Sequence, residues 1–165
     1  MTQEGLLPDH LFRQCVAALP LVSIDLCVID DAKRLLLGKR NNAPATGWWF
    51  TPGARIRKNE PLANALVRVL QEELSLPPSF AARARLMGAW DHFYPDSAFD
   101  PAISTHYVNL PHALFLTVDE LRGLHLPMGA GEQHSDWRWH AVANAAVDVS
   151  VHPYVQTYAR WLMEH

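Results

Sequence analysis

The stretch from Gly53 to Leu76 restricts how this chain folds more than any other part of the sequence. Apolar residues recur there at helical spacing, after Pro61 and before Pro77, at Leu62, Ala65, Leu66, Val69, Leu70 and Leu74. A proline in the first helical turn costs no hydrogen bond, because the N–H groups there have no partner inside the helix. The pattern predicts an amphipathic helix over 61–74 with one face packed against a core.

The same stretch carries charged residues that suit a metal ion and a phosphate group. Arg55 precedes the helix, Arg68 and Glu72 lie four residues apart on one face of it, and Glu73 lies one step further round. Carboxylate oxygens are ligands for Mg²⁺ and Mn²⁺, and a guanidinium group grips phosphate oxygens in pairs. The residue types fit a solvated face with an Arg68–Glu72 ion pair equally well, so both interpretations stay open at this point.

Helical and strand patterns are mixed along the rest of the chain. Runs rich in β-branched and apolar residues predict strands at 21–29, 35–37, 48–51, 85–93, 105–116 and 136–140. Helical spacing predicts helices at 10–19 and 153–165 and short helical turns at 119–123 and 144–146. Because the two kinds of element do not alternate strictly, we expect an α+β fold or an α/β/α sandwich around a mixed sheet.

Composition limits the class of protein. A chain of 165 residues with 49% hydrophobic and 19% charged residues can bury one core, so we expect a single domain over 1–165. The formal charge of −3 argues against non-specific binding to nucleic acid. We expect Cys15 and Cys27 to be reduced thiols, and we expect no signal peptide, no membrane span and a cytoplasmic location.

With Glu60 aligned to its first glutamate, the stretch resembles the Nudix box, G-x5-E-x7-R-E-U-x-E-E-x-G-U, where U is a bulky apolar residue. Arg68 then falls on the arginine, and Glu72 and Glu73 fall on the paired glutamates. Three positions depart from the box, which has Gly, Glu and Gly there: Ala54, Val69 and Ser75. The resemblance implies the Nudix fold, an α/β/α sandwich, whereas the departures at 54 and 75 put the loop geometry in question.

Segments outside the box resemble one branch of that superfamily, the GDP-mannose mannosyl hydrolases. They lie at 20–25, 37–40, 47–50, 92–94, 105–108 and 132–139, so the resemblance covers nearly the whole chain. This branch has an altered box that lacks some of the glutamates, and it retains one divalent cation. Val69 is therefore what the resemblance predicts.

The resemblance implies a role for each matching residue. It assigns the metal to Glu73, a backbone carbonyl near Gly53 and Gln133, and it leaves Glu72 as a further ligand or as the partner of Arg68. It assigns the general base to His134. The groups it places at the pyrophosphate and the leaving nucleotide are Arg40, Arg55 and His92, and those near the sugar and diphosphate are Asp25 and Tyr107.

By this resemblance the chain is expected to be a homodimeric enzyme that uses Mg²⁺, with Mn²⁺ as an alternative, to hydrolyse a GDP-hexose. Water would attack the anomeric carbon and GDP would leave, giving GDP and free sugar. A histidine has a pKa suited to activating that water near neutral pH.

Other interpretations of the same residues stay open. His134 could be an ordinary loop histidine, and His92 a core histidine. The whole chain could instead be an ordinary Nudix pyrophosphatase that breaks a P–O bond, or a catalytically silent domain that binds a nucleotide sugar.

Overall fold

A computed structural model describes residues 6–129 and 131–165 of the chain. The strands are β1 (Leu21–Asp30), β2 (Arg34–Arg40), β3 (Trp49–Phe50), β4 (Gly53–Arg55), β5 (Arg85–Leu86), β6 (Trp90–Tyr94), β7 (Thr105–Leu116) and β8 (His134–Ala141). The helices are α1 (Asp9–Ala18), α2 (Leu62–Leu74), α3 (Val118–Leu121), α4 (Val142–Ala145) and α5 (Pro153–Glu164), with a 3₁₀ helix at Pro78–Arg83.

The strands form one mixed sheet. Its central path runs β3-β2-β1-β7-β5, with β4 paired to β1, β6 to β7 and β8 to β2. Strands β1 and β7 are parallel from the Leu21–Tyr107 pair to the Asp30–Leu116 pair, and the other pairings are antiparallel. The predicted mixed sheet is confirmed.

Helices cover both faces of the sheet, because side chains alternate along each strand. Ile24, Leu26 and Val28 of β1 pack with the apolar face of α2. Cys27 and Ile29 point the opposite way and pack with α5. The result is the expected α/β/α sandwich, and the same alternation turns Asp25 toward the α5 side.

Several sequence-based boundaries were wrong, and two of them concern β5, β6 and β8. The strand predicted over 85–93 is two strands, β5 and β6, separated by residues 87–89. Trp90 pairs with Asn109 but Leu86 pairs with His112, so the register slips by one residue opposite Pro111, which has no N–H to donate. Strand β8 begins at His134 rather than at 136, which takes this histidine out of the predicted loop and into the sheet.

The two glycine replacements in the box have different consequences. Ala54 lies within β4, opposite Ile24, in extended backbone that any residue adopts. Ser75 caps α2 with φ 57° and ψ 27°, the left-handed conformation in which glycine is usual. The backbone at position 54 therefore needs no glycine. Ser75 keeps the left-handed backbone that glycine would adopt, at a cost of about 1 kcal/mol in the free energy of folding.

Among the residues that the structure describes, no helix combines the length and the apolar character needed to cross a membrane.

Candidate active site

A cavity of about 280 Å³ opens on the α5 side of the sheet, where β1, β2, β4, β6 and β7 converge. It brings together seven of the residues singled out from the sequence: Asp25, Arg40, Gly53, Arg55, His92, Tyr107 and Gln133. Glu72, Glu73 and His134 are not among its lining residues. The predicted substrate groups thus share one site, which also contains Phe12 of α1.

Glu73 is the box carboxylate whose surroundings suit a metal. Its side chain is half-buried. Burial raises its pKa to about 7, a shift opposed by the positive charge of Arg40 and reinforced by Glu72 and Asp25. Glu73 therefore lies in the electrostatic field of the cavity residues Arg40 and Asp25.

Glu72 lies in a different environment. It is exposed, and its Oε1 accepts from Arg57 at 3.2 Å while its Oε2 accepts from Arg68 at 2.9 Å. The ion pair weighed from the sequence is present. Glu72 as a metal ligand stays a prediction, but its two oxygens already have guanidinium partners.

The carbonyl of Gly53 is directed away from β1. Leu26 N–H donates to Pro52 O and Ile56 N–H donates to Val22 O, so the intervening Asp25–Gly53 pair is a non-hydrogen-bonded pair of the antiparallel ladder. By the same alternation the carbonyl of Arg55 points outward, where it accepts from Arg68 of α2 at 3.0 Å. The Gly53 carbonyl therefore makes no hydrogen bond to β1 and points out from the edge of β4 that faces α2.

Gly53 is also required sterically. A Cβ at this position would lie 2.4 Å from the carbonyl oxygen of Ile24 and 2.5 Å from Oδ1 of Asp25. Any larger residue would push β4 away from β1. Gly53, the residue before Ala54, is therefore the glycine that the close packing of β4 on β1 requires.

Gln133 is the third oxygen donor that the family resemblance predicts. Its Oε1 is buried and has no hydrogen-bond partner among the described residues. A buried oxygen left without a partner costs about 1–3 kcal/mol unless something else binds it. Carboxylate, amide and carbonyl oxygens are donors of the kind that Mg²⁺ and Mn²⁺ prefer, so the chemistry of these three groups fits such an ion.

Histidine, cysteine and carboxylate side chains do not assemble a metal site by themselves: across residues 6–129 and 131–165, no three of them cluster closely enough. Val69, which replaces a box glutamate, is fully buried in the core under α2. A metal here would therefore depend on the amide and carbonyl oxygens as well as on Glu73.

Two arginines give the cavity positive charge. The guanidinium group of Arg40 donates only long hydrogen bonds within the described part of the chain, to the carbonyls of Asn42 at 3.5 Å and Pro44 at 3.4 Å. The guanidinium carbon of Arg55 lies 4.0 Å from the centre of the Phe12 ring. Neither arginine forms an ion pair with a described carboxylate, so both guanidinium groups can bind an anion in the cavity.

The floor of the cavity is a buried polar network. Asp25 Oδ2 accepts from the hydroxyl of Tyr158 at 2.9 Å. Burial raises the pKa of Asp25 to about 6, against the opposing effects of Tyr158 and of the Arg40 charge. Burial lowers the pKa of His92 to about 3, so this imidazole is neutral at pH 7.

His92 has little freedom to touch a substrate through its nitrogens. Nε2 lies 2.9 Å from the Tyr158 hydroxyl and Nδ1 lies 3.4 Å from the Tyr94 hydroxyl. Its ring stacks on that of Tyr154, with the centroids 3.9 Å apart. The structure places His92 in the cavity wall as part of a hydrogen-bonded core.

His134 lies outside the cavity wall, directly after Gln133 in sequence. It is 1% exposed, and its Nε2 has no hydrogen-bond partner in the described ranges. Its ring packs against Trp137, 4.4 Å between centroids, and against Gly38, where a Cβ would come within 2.4 Å of Cδ2. Burial and the charge of Arg40 lower its pKa to about 4. Its role as a base stays a prediction.

Sequence reasoning missed Tyr158 and Asn109 as site residues. Tyr158 is 133 positions away from its partner Asp25, and its only sequence signal was the apolar stripe of α5. Asn109 looked like one polar residue in a strand. No spacing pattern in the sequence could have shown that these two residues lie beside Asp25.

Comparison with known proteins identifies the family. Residues 19–163 match the family model described as the NUDIX domain. The chain belongs to the Nudix family. This Nudix chain is 37% identical over 152 residues to the low-salt glycan biosynthesis protein Agl8 of Haloferax volcanii, with 92% of the chain and 88% of that protein covered.

Solved structures share the fold. The MutT NUDIX hydrolase of Burkholderia pseudomallei superposes with a TM-score of 0.62 at 24% identity, covering 87% of this Nudix chain and 98% of that one. The NUDIX domain of Shewanella oneidensis NrtR, solved with ADP ribose, superposes with a TM-score of 0.64 at 16% identity, covering 96% and 98%. At these identities the superpositions establish the fold of this Nudix hydrolase domain.

Proposed function

We propose that this Nudix hydrolase cleaves a GDP-hexose, GDP-mannose first, to GDP and the free sugar with the aid of one Mg²⁺ or Mn²⁺ ion. One observation carries the proposal. A single cavity joins Arg40 and Arg55, which form no ion pair with a described carboxylate, to the oxygen donors Gly53 and Gln133, and the charge of Arg40 acts on the one box carboxylate, Glu73, outside the cavity lining. This combination suits a diphosphate that departs intact.

Glu73, Gln133 and the Gly53 carbonyl would hold the metal. When bound, the ion supplies positive charge that stabilises a departing diphosphate. Arg40 and Arg55 add two guanidinium groups that bind the diphosphate oxygens as negative charge grows on the leaving group. Asp25 and Tyr107 face the same space and would orient the sugar and the diphosphate.

His134 would take the proton from the attacking water. As the C–O bond at the anomeric carbon breaks, water forms the new C–O bond, its proton goes to Nε2 of His134 and the bonding electrons leave with GDP. At its buried position the lowered pKa keeps this imidazole neutral at pH 7, and it also makes the imidazole a weaker base than an exposed histidine. For this step the ring must turn from its buried position toward the cavity beside Gln133.

One observation favours a second candidate. Because His134 lies outside the cavity wall, the site can also be read as an ordinary pyrophosphatase that breaks a P–O bond of a nucleoside diphosphate derivative. A fold neighbour, the NrtR domain, was solved with ADP ribose, a molecule of that class. The similarity to a glycan biosynthesis protein supports a nucleotide sugar as the substrate in either case.

A product assay separates these candidates. The protein is incubated with GDP-mannose, GDP-glucose or ADP-ribose and Mg²⁺, and products are resolved by ion-exchange chromatography. GDP with free sugar supports the proposal, whereas a nucleoside monophosphate (GMP or AMP) with a sugar phosphate supports the pyrophosphatase. Binding of GDP without any turnover would indicate a silent nucleotide-sugar-binding domain.

We also propose that the chain works as a cytoplasmic homodimer with a single Nudix domain over 1–165, and that its partner is a small molecule rather than nucleic acid or a membrane. These statements rest on the family resemblance and on the charge of −3. Gel filtration with light scattering tests the oligomeric state.

A further inference from the structure

The hydroxyl of Tyr158 in α5 joins three side chains of the cavity wall. Its oxygen lies 2.9 Å from Asp25 Oδ2, 2.9 Å from His92 Nε2 and 2.9 Å from Asn109 Oδ1. All four side chains are buried. The three partners line the cavity and come from β1, β6 and β7, whereas Tyr158 lies behind them. One hydroxyl is therefore the common hydrogen-bond partner of groups from three strands.

The donors and acceptors of this network restrict where its protons lie. The Tyr158 hydroxyl has one proton to give, and its oxygen can also accept. Asn109 Nδ2 donates to Ser23 Oγ at 2.8 Å, so its Oδ1 is the atom that faces Tyr158. An ionised Asp25 and this Oδ1 are acceptors only, so of the three partners His92 alone can donate to the Tyr158 oxygen, through Nε2–H.

The remaining contacts agree with that tautomer. With the proton on Nε2, His92 Nδ1 is an acceptor, and the Tyr94 hydroxyl lies 3.4 Å from it. Tyr158 occupies Oδ2 of Asp25, and the other oxygen, Oδ1, lies beside Gly53, where an added Cβ would meet it at 2.5 Å. The network thus leaves one carboxylate oxygen of Asp25 at the cavity-lining Gly53.

The geometry points to Tyr158 as a positioning residue for the reaction proposed above, on which this inference rests. It fixes the orientation of Asp25 and His92 under the substrate without touching the substrate. Loss of its hydroxyl would take a hydrogen-bond partner from His92 and from whichever of Asp25 and Asn109 accepts its single proton, and these buried groups would turn to find another. Small misplacements of catalytic groups lower the rate of a reaction more than they weaken binding.

The variant that tests this is Tyr158→Phe, which retains the ring and its packing. We expect kcat on GDP-mannose to fall by about 10-fold or more, with the Kd for GDP changed by less than about 3-fold. The matched control is Tyr154→Phe on the same helix. The Tyr154 hydroxyl bonds the backbone N–H and carbonyl of Phe93, at 2.7 and 3.0 Å, and does not bond the Tyr158 partners within the described residues.

Both variants lose a hydroxyl with more than one hydrogen bond, so both are expected to lower Tm. Only Tyr158→Phe is expected to lower kcat. Equal kcat values for the two variants would mean that Tyr158 has a structural role alone and would overturn the inference.

A double-mutant cycle shows through which group Tyr158 acts. In an Asp25→Asn background, Tyr158→Phe should lower kcat by less than about 2-fold further, because the residue it positions is already changed. Independent, multiplicative losses would contradict the coupling.

A measurement without substrate separates this inference from the proposed function. Long-range ¹H–¹⁵N NMR spectra of the free protein at pH 8 should show His92 as the Nε2–H tautomer, and Tyr158→Phe should change that pattern. An Nδ1–H tautomer in the unmodified protein overturns the network even if GDP-mannose is hydrolysed. Absence of GDP-hexose turnover with the expected tautomer refutes the proposed function while the network stands.

Discussion

Arg68 Nε lies 2.6 Å from Glu60 Oε1, and a second guanidinium nitrogen of Arg68 lies 2.8 Å from Glu60 Oε2. This paired contact ties α2 to the loop before it, and the same nitrogen donates to the carbonyl of Arg55 at 3.0 Å. Both side chains are only 13–14% exposed. The box arginine thus holds strand β4, which carries Gly53 and Arg55, and the loop after it against the helix that carries Glu73.

Breaking this pair should destabilise the fold. Glu60→Gln removes one charge from a partly buried pair and should lower the free energy of unfolding by about 1–3 kcal/mol in urea denaturation. Glu72→Gln breaks an exposed contact with the same Arg68 and should cost less than about 1 kcal/mol. Equal losses would mean that Glu60 has no special part in holding the loop.

The Glu60–Arg68 pair also predicts a pH dependence of stability. Hydrogen bonds from Arg68 lower the pKa of Glu60 below its ordinary value of 4.5. The unfolded state then binds the proton more readily, so the stabilisation is complete above pH 4.5 and disappears as the pH falls through the lower pKa of the folded state. Urea denaturation between pH 3 and 6 should show a smaller decline for Glu60→Gln than for the unmodified protein.

Ser75 offers a stabilising substitution. Because its φ of 57° is unfavourable for a residue with a Cβ, Ser75→Gly should raise the free energy of unfolding by about 0.5–1 kcal/mol. Ser79→Gly, in the 3₁₀ helix at Pro78–Arg83, is the control and should lower stability. A loss of stability in Ser75→Gly would contradict the conformation described for the cap of α2.

Gly38 makes the room that His134 occupies. Gly38→Ala places a methyl group within 2.4 Å of the His134 ring, so we expect a lower Tm and a displaced His134, visible in NMR spectra of the histidine side chains. Gly123→Ala is the matched control, since its nearest contact, the Glu120 carbonyl, is 3.4 Å away. An unperturbed His134 resonance in Gly38→Ala would show that the ring lies elsewhere.

The two neighbouring box glutamates should differ in their effect on metal binding. Glu73→Gln should abolish metal-dependent turnover and weaken Mn²⁺ binding, measured by electron paramagnetic resonance, by about 10-fold or more. Glu72→Gln should have the smaller effect, because its oxygens bind Arg57 and Arg68. The reverse order would move the ligand to Glu72.

His134→Gln tests the base. We expect kcat to fall by about 10²–10⁴-fold with the Kd for GDP retained, since the imidazole would act in the chemical step and lies outside the cavity wall. Unchanged turnover would assign the proton transfer to another group.

Much of the fold followed from local patterns. The apolar stripe from Leu62 to Leu74 predicted α2 within one residue of its observed start, because helical spacing and Pro61 agree. The break between β5 and β6 was missed, since it depends on a register shift against Pro111 in a strand distant in sequence.

Residues of the site were predictable from the sequence only where they belong to a recognisable motif. Cavity residues such as Arg40 and Gln133 came from a family resemblance, and the fold does bring them together. Tyr158 could not be found this way, because its hydroxyl matters only after α5 packs beneath β1. The exposed Glu72 and half-buried Glu73 are adjacent in sequence, and only packing distinguishes them.

Hydrolysis of GDP-mannose in ¹⁸O-labelled water with Mg²⁺ tests the central claim most directly. Mass spectrometry of the products should find the label in the free sugar and none in GDP, because water attacks the anomeric carbon. Label in GMP or in the sugar phosphate would show cleavage of the P–O bond and would contradict the account.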